Sequence, residues 1–545
     1  MCKFLGNHLR KHARLDTWQS GHWVIENRLT YEQIKDKEYS TKQSSGDFHV
    51  FANVSLLKLF VTFSIDICGG ALLVMMGLQT LSESLFYYFR MEDHIPEDHL
   101  LRLVDRHIDF AFVRESLKAS YSHTGRPSID PEVLLRILLI GYLYGITSER
   151  RLVEDVGMHL AYRWFTGLGF DQEVPHHSTF SKNRHGRFQE SPLFLELFER
   201  IVQQCMNAGL LKGVDLSVDS TQIRADASPD RAITREQLPE VAKVNRTVRE
   251  YVEQVERENV IAEPERASDA SASEAEDKPE LRRTYRNSPP MKISTTDPEA
   301  ALSSKRGASE FAYYDNYLID NRSCIIAGVM ATPARLSQEI IAARQMLERA
   351  KERFGLQPAS VTADKSYGTG EFLSWLSNRQ MTPYIPVLDR KQQTKGFYTQ
   401  NDFIRLPEEN AYRCPGGQVL HYIGLSRGSQ GFTYSARPSH CRDCSHKPAC
   451  TPSSTHRTLR VNWYEDVRED VRKLSQTPEF AIARRARNKI EALFSELRNQ
   501  IHLRKLRLRG LPRAGEQFIL AATVQNIKRL VRFINQSKES EAAMA

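Results

Sequence analysis

Cysteine is scarce in this chain, eight residues in 545. That excludes a secreted disulfide framework, which packs many cysteines into a short sequence. Four stand alone (Cys2, Cys68, Cys205, Cys324) and four cluster as Cys414, Cys441, Cys444 and Cys450. A reducing cytosol with free thiols is the simplest setting. Long apolar runs are also missing. The greasiest stretch, Val54 to Leu81, is interrupted by Lys58 and Asp66, and its longest uncharged run is 16 residues, Ile67 to Ser82. A membrane helix needs about 20, so no membrane association is expected. The stretch reads as a buried or poorly ordered helix, or as translation from an upstream start codon. The chain opens on Lys3, His8, Arg10, Lys11 and His12 with no apolar core behind them, so no secretory signal is expected.

No large excess of one charge exists either. Lys and Arg total 75 against 67 Asp and Glu, a net +8. The distribution is uneven, however. Between Ala481 and Gly515 stand ten basic residues and two Glu, while Arg235 to Arg283 carries nine basic and thirteen acidic. One segment is suited to polyanions and the other to solvation. A composition of 41% hydrophobic and 26% charged residues excludes a wholly disordered chain. The length suggests three or four domains at roughly 150 residues each.

From His94 the sequence becomes regular. Ile95 to Ser120 reads as a helical pair and Gly125-Arg126-Pro127-Ser128 as a turn. Asp130-Pro131 caps the next helix, which carries Val133, Leu134, Ile137, Leu138, Ile140 and Leu143 at helical spacing. Gly145-Ile146-Thr147-Ser148 breaks it, and Ser148 caps a helix with Leu152, Val153 and Val156. This is the layout of a helix-turn-helix and equally of any helical hairpin. His176 to Thr179 then caps a short basic helix with Lys182, Arg184 and Arg187, three candidate DNA contacts.

Val214 to Thr221 alternates with period two, placing Val214, Leu216 and Val218 on one face and Asp215, Ser217 and Asp219 on the other. Either a half-exposed strand with solvated carboxylates or a strand presenting a reactive acid fits. Tyr313 to Ile319 and Ser323 to Ala331 read as a hairpin around Asp320-Asn321-Arg322, and Arg335 to Phe354 as an amphipathic helix. Ser360 to Ala363 is a short strand with Asp364 at its C-terminal end, followed by Lys365 and Tyr367. Functional groups favour that edge of a sheet, although Asp is also an ordinary turn former. A long basic helix spans Thr477 to Leu503, with Ile490, Leu493, Phe494, Leu497 and Ile501 as its buried stripe. Arg484, Arg487, Glu491 and Arg498 share another face, while Glu496 lies off it.

If Asp219, Asp364 and Glu491 converge, they form an acidic pocket that calls for a cation. Hard divalent ions take oxygen ligands, and a pair of them drives phosphodiester chemistry. Arginines around such a pocket hold phosphate.

Here the sequence resembles a bacterial insertion-sequence transposase of the DDE superfamily, from about Met75 to Arg532. Val218-Asp219-Ser220-Thr221 is similar to the first acidic motif of that family, and Thr362 to Gly368 to the second. Arg487, Glu491 and Arg498 match the third, with Arg484 where the family has Tyr and Arg498 where Lys is commoner. The Cys-bearing insertion points to insertion-sequence family 1182 or a close relative. The resemblance implies an α/β fold, an RNase H-like mixed sheet flanked by helices, preceded by an all-α N-terminal domain and carrying two insertions. It implies cleavage at element ends and strand transfer into target DNA. Asp219, Asp364 and Glu491 would bind Mg²⁺ or Mn²⁺ as two ions, and Arg484, Arg487, Arg498 and Lys365 would contact DNA. A dimer or higher oligomer on paired DNA ends is implied, in the bacterial cytoplasm. A nuclease that cuts without joining and an inactive DNA-binding remnant are the alternatives.

The implied organisation is an extension at 1–74 and a helical DNA-binding domain at 75–195. The RNase H-like domain comprises 196–233, 284–400 and 461–535. The insertion at 234–283 reads as charged helix and then a disordered loop over Ser268 to Lys278, poor in large apolar residues. The second insertion, 401–460, holds Cys414, Cys441, Cys444 and Cys450, with His440 and His446 as substitutes. Four such thiolates suit a structural Zn²⁺ ion, and a reduced thiol cluster is the alternative.

Overall fold

The computed structural model describes residues 18–19, 22–23, 89–121, 128–188, 191–268, 292–303, 309–335, 338–388, 396–426 and 431–544. The chain divides into two compact units, Met1–Tyr88 and Phe89–Ala545. In the first, Trp18–Gln19 and His22–Trp23 pair as short antiparallel strands. The apolar stretch Val54 to Leu81 lies outside the described residues, as do most of the turn at Gly125 and of the loop that ends at Lys278. Among the described residues no helix is long and apolar enough to cross a membrane.

The second unit opens with seven helices: α1 (Leu100–His107), α2 (Phe112–Leu117), α3 (Pro131–Leu143), α4 (Glu149–Met158), α5 (Leu160–Phe165), α6 (His177–His185) and α7 (Leu193–Asn207). The capping residues expected from sequence do cap. Asp130 accepts from the Glu132 backbone N–H, Ser148 from Arg151 and His176 from Ser178. Each satisfies a donor that the first helical turn leaves unpaired. The turn between α3 and α4 is fixed from outside. Gly145 has φ +68°, and a Cβ there would stand 2.2 Å from the Gln500 carbonyl oxygen. The Gly145 carbonyl also lies 2.9 Å from His502 Nδ1. Only glycine allows both the left-handed backbone and so close an approach.

A mixed sheet follows. Its central strand is β1 (Asp215–Arg224). After β2 (Ala232–Thr234) come two helices, α8 (Leu238–Val244) and α9 (Arg246–Ser268), which form the charged helical excursion. Strand β3 (Lys292–Ser294) pairs back onto β2. Then come β4 (Ala301–Ser303), the long β5 (Glu310–Asp320), β6 (Ile326–Pro333), α10 (Gln338–Phe354), β7 (Ser360–Thr362), α11 (Gly370–Ser377) and β8 (Thr382–Tyr384). Antiparallel β6, β5 and β1 are continued by parallel β7 and β8, with β4 extending β6's edge along β5. This is the RNase H-like α/β arrangement, three antiparallel strands and then two reached by helical crossovers. Strand β1 is buried along most of its length rather than half exposed. Helices pack against it from α10 and from the long basic helix described next.

The second insertion forms its own antiparallel sheet, β9 (Ile404–Leu406), β10 (Ala411–Arg413), β11 (Val419–Ser426), β12 (Gly431–Ser435) and β13 (Thr458–Asn462), in that order. Two short helices, α12 (Pro438–Arg442) and α13 (Lys447–Cys450), interrupt it. Its core is small and separate, built on Phe403, Tyr412, Leu420, Tyr434, Leu459 and Val461. The chain returns through α14 (Glu465–Leu474) and α15 (Pro478–Asn499) to α16 (Leu511–Met544). The stripe Ile490, Leu493, Phe494, Leu497 and Ile501 is buried.

Helix α16 unites the unit. It packs against α1, α3 and α7 on one side and against β5 and β6 on the other. Even its polar side chains are enclosed. Asn526 donates to the Ile326 carbonyl at 2.8 Å and accepts from the Ile326 N–H at 2.9 Å. Gln525 accepts from the Tyr317 hydroxyl at 3.1 Å and donates to the Leu493 carbonyl at 2.9 Å. Buried polar groups are tolerable because each has a partner. Asn526 thereby occupies backbone groups of an edge strand.

Phe494 is buried against Tyr317, with ring centroids 5.1 Å apart. Truncating such a ring leaves a cavity. Phe494→Ala should cost about 3–5 kcal/mol, read as a lowered urea midpoint. An unchanged midpoint would remove this contact from the core.

Candidate active site

Register places the first two acids together. Strands β1 and β7 run parallel, with Asp215 beside Ser360, Leu216 beside Val361 and Ser217 beside Thr362. Two residues further along each chain stand Asp219 and Asp364, and parallel neighbours lie about 4.8 Å apart. After Thr362 the chain leaves the ladder. The Asp364 carboxylate caps the following turn, accepting from the Ser366 N–H at 2.8 Å. Gly368 makes that turn possible, since a Cβ there would lie 1.9 Å from the Pro386 carbonyl oxygen.

Helix α15 supplies the third acid. Arg487 and Glu491 are one helical turn apart, so they share a face. The Arg487 guanidinium forms an ion pair with Asp219 Oδ2. Asp219 Oδ1 accepts from the Ser220 backbone N–H at 2.8 Å. Arg498, further along the helix, donates to the Thr221 hydroxyl on the same strand. Glu491 is exposed and Asp364 half-buried.

The charges of the other two acids reach Asp219. Burial pushes the Asp219 carboxyl up to about 7 from an ordinary value of 3.8. Arg487 and the Ser220 N–H pull it down, while the charges of Asp364 and Glu491 push it further up. Both partners expected from the sequence therefore act on Asp219. Among the described residues, no three His, Cys, Asp or Glu side chains stand as a group ready to hold a metal ion. At Asp219 the Oδ2 atom is paired with the Arg487 guanidinium. The donor chemistry, three carboxylates with hard oxygens, still suits a divalent ion of the Mg²⁺ type.

The structure separates the basic candidates. Lys365, Arg484 and Lys182 are exposed. Arg184 is not a surface cation: it is 2% exposed, paired with Glu149 at 2.8 Å and donating to the Tyr142 hydroxyl at 3.4 Å. Arg187 bonds Ser128 at 2.9 Å and Asn183 at 2.7 Å, and stacks over Tyr121. Arg184 is therefore an internal brace of the helical region rather than the DNA contact expected from sequence, whereas Arg187 is half-buried. Part of the basic run is paired with groups of the protein itself. Lys489 donates to the Asn321 carbonyl at 2.6 Å, Lys505 and Arg509 pair with Asp226, and Arg507 lies over Tyr142. Glu496 is turned away from the acids, half-buried and paired with Arg529 at 2.8 Å.

Sequence reading missed a second layer behind the site. The Ser220 hydroxyl donates to Glu339 on α10, an acid that is 7% exposed. Buried Tyr367 feels the charges of Glu339, Asp219 and Asp364 together. The apolar spacing of α10 gave no hint of Glu339, because its inward position depends on strand β1.

Comparison with known families agrees with this layout. Residues 89–186 match the family described as Transposase domain (DUF772). Residues 413–531 match that described as Transposase DDE domain, a span that takes in most of the second insertion, α15 and much of α16. No curated protein matches the chain. The two matches support a DDE transposase.

Two outcomes follow. The folded Asp219 carboxyl keeps its proton up to about pH 7, whereas the unfolded one loses it near pH 4. The folded state therefore binds more protons across that window, and stability falls as pH rises through it. Asp219→Asn should lack the fall, so its Tm should gain on wild type between roughly pH 4 and pH 7 and hold steady above. Parallel profiles would contradict burial as the dominant influence. Arg184→Met should destabilise the protein by on the order of 3 kcal/mol, as loss of one partner of a buried pair does. The salt dependence of DNA binding should not change. A slope reduced by about one would restore Arg184 as a phosphate contact.

Proposed function

We propose that this protein cleaves DNA at the ends of a mobile element and joins the freed strands to target DNA, with Asp219, Asp364 and Glu491 as its catalytic acids. The observation that carries the proposal is the mutual influence of these three residues at Asp219, from two neighbouring parallel strands and a helix laid across them. They would hold Mg²⁺ or Mn²⁺, which supplies an activated water or 3′-hydroxyl and stabilises the leaving oxygen.

The chain's own residues prepare that site. Strand β1 fixes Asp219 in the sheet, and the Ser220 N–H orients its carboxylate. Arg487 holds the Asp219 carboxylate by an ion pair and would offer a guanidinium to a phosphate at the same site. Exposed Lys365 and Arg484 flank the acids and offer phosphate contacts. Lys182 offers another from the helical region. Arg498, held by Thr221, positions α15 on the sheet. The substrate is double-stranded DNA carrying the element's terminal repeats, engaged by a dimer or larger assembly in the cytoplasm. The Cys-bearing insertion between the second and third acids favours insertion-sequence family 1182.

Asp219→Asn should abolish Mg²⁺-dependent cleavage of a duplex bearing an element end while retaining its affinity for that duplex. Full cleavage by the variant would remove Asp219 from the chemistry. Wild-type products separate the alternatives. Joined strands with a target duplication support transposition, nicks without joining indicate a hydrolytic nuclease, and binding without cleavage indicates an inactive remnant.

A further inference from the structure

The catalytic acids leave the second insertion unexplained, and its four cysteines are brought together by the fold. Cys414 follows β10 and opens a tight turn, in which the Gly417 N–H bonds back to the Cys414 carbonyl at 2.9 Å. Gly417 has φ +78°. Cys441 lies in α12, Cys444 just beyond it, and Cys450 ends α13. The 26 residues between Cys414 and Cys441 look too long for one site in sequence. In the structure β11 and β12 form an antiparallel hairpin that returns the chain to its starting point.

All four cysteines line one cavity, together with His440, His446, Gly416, Tyr398 and Arg457. A Cβ built on Gly416 would stand 3.3 Å from Cys444 Sγ and 3.7 Å from Cys414 Sγ. Glycine at this position keeps the space between the two sulfurs open. None of the four is in a disulfide. His440 adds an independent sign: its Nδ1 is buried with no hydrogen-bond partner. Buried polar atoms seldom go unpaired without a ligand or water to meet them. Arg457 braces the cavity wall, donating to the Cys450 carbonyl at 2.9 Å and to the Tyr398 carbonyl at 2.8 Å.

We propose that Cys414, Cys441, Cys444 and Cys450 bind one structural Zn²⁺ ion, tying the β10–β11 turn to the α12–α13 segment. The side chains stand open rather than closed on one point. Since the four residues line the same cavity, closure requires side-chain rotation. Binding forms four Zn–S bonds and displaces the thiol protons to solvent. A tetrahedral site with four protein ligands leaves no open coordination position, so the ion is structural and not catalytic. The need for such a tie is physical. The insertion's core is small, and small cores commonly depend on a metal or a covalent link.

The test uses the full-length protein purified without chelator. Metal analysis should find one zinc per chain. Titration with a mercurial reagent should release that zinc as four thiols react. Replacement by Co²⁺ should give the intense thiolate-to-cobalt charge-transfer absorption of a four-sulfur site. Cys441→Ser and Cys444→Ser should lose the metal and lower Tm, whereas Asp219→Asn should keep the full zinc content and so separate this site from the acids. Four freely reactive thiols with no zinc and no cobalt–thiolate band would overturn the proposal, as would an oxidised cysteine pair. Loss of metal in His440→Ala with retention in any one cysteine variant would overturn the four-thiolate ligand set.

Discussion

A carboxylate buried in the middle of a sheet is costly unless something offsets its charge, and Asp219 is such a group. Burial raises it, two further acids raise it more, and Arg487 is the guanidinium that offsets them. That pair ties α15 to β1, so the helix bearing Glu491 is positioned by the same charge that defines the site. Arg498 on Thr221 makes a second tie between the same two elements. One atom, Asp219 Oδ2, thus carries the contact that settles the helix.

The same economy runs through the basic segment. Ten cations in thirty-five residues read in the sequence as a surface for phosphate. Several of them also hold carboxylates, carbonyls and rings of the protein itself: Lys489, Lys505 and Arg509 do so while exposed, and half-buried Arg507 lies over Tyr142. An arginine at a sheet–helix junction serves both purposes, because its long apolar stem packs while its head pairs. Counting charges along a sequence measures supply and not display.

What was legible in the sequence was what repeats locally. The α15 stripe, the caps at Asp130 and Ser148, the hairpin around Asp320 and the strand before Asp364 all occur where spacing puts them. An acid within β1, one just past β7 and one on a face of α15 were placed by the same local spacing. Residues whose place depends on distant chain were not. Arg184 sits in an exposed-looking basic helix, yet Glu149, thirty-five positions away, draws it inside. The two faces of β1 alternate in polarity as a surface strand would, but helices cover both. Helix α16 carries no amphipathic stripe to betray it, because it is enclosed on several sides and its polar residues serve strand and helix backbones.

Helix α16 has a consequence for how the chain is made. It completes the core of the helical region near the N-terminus as well as the outer face of the sheet. While a ribosome is still decoding the segment before Leu511, neither layer has its final partner, and apolar surface on both remains uncovered. Assembly of this unit therefore waits on that helix. A chain cut short before it would leave the apolar surfaces of both layers without their partner.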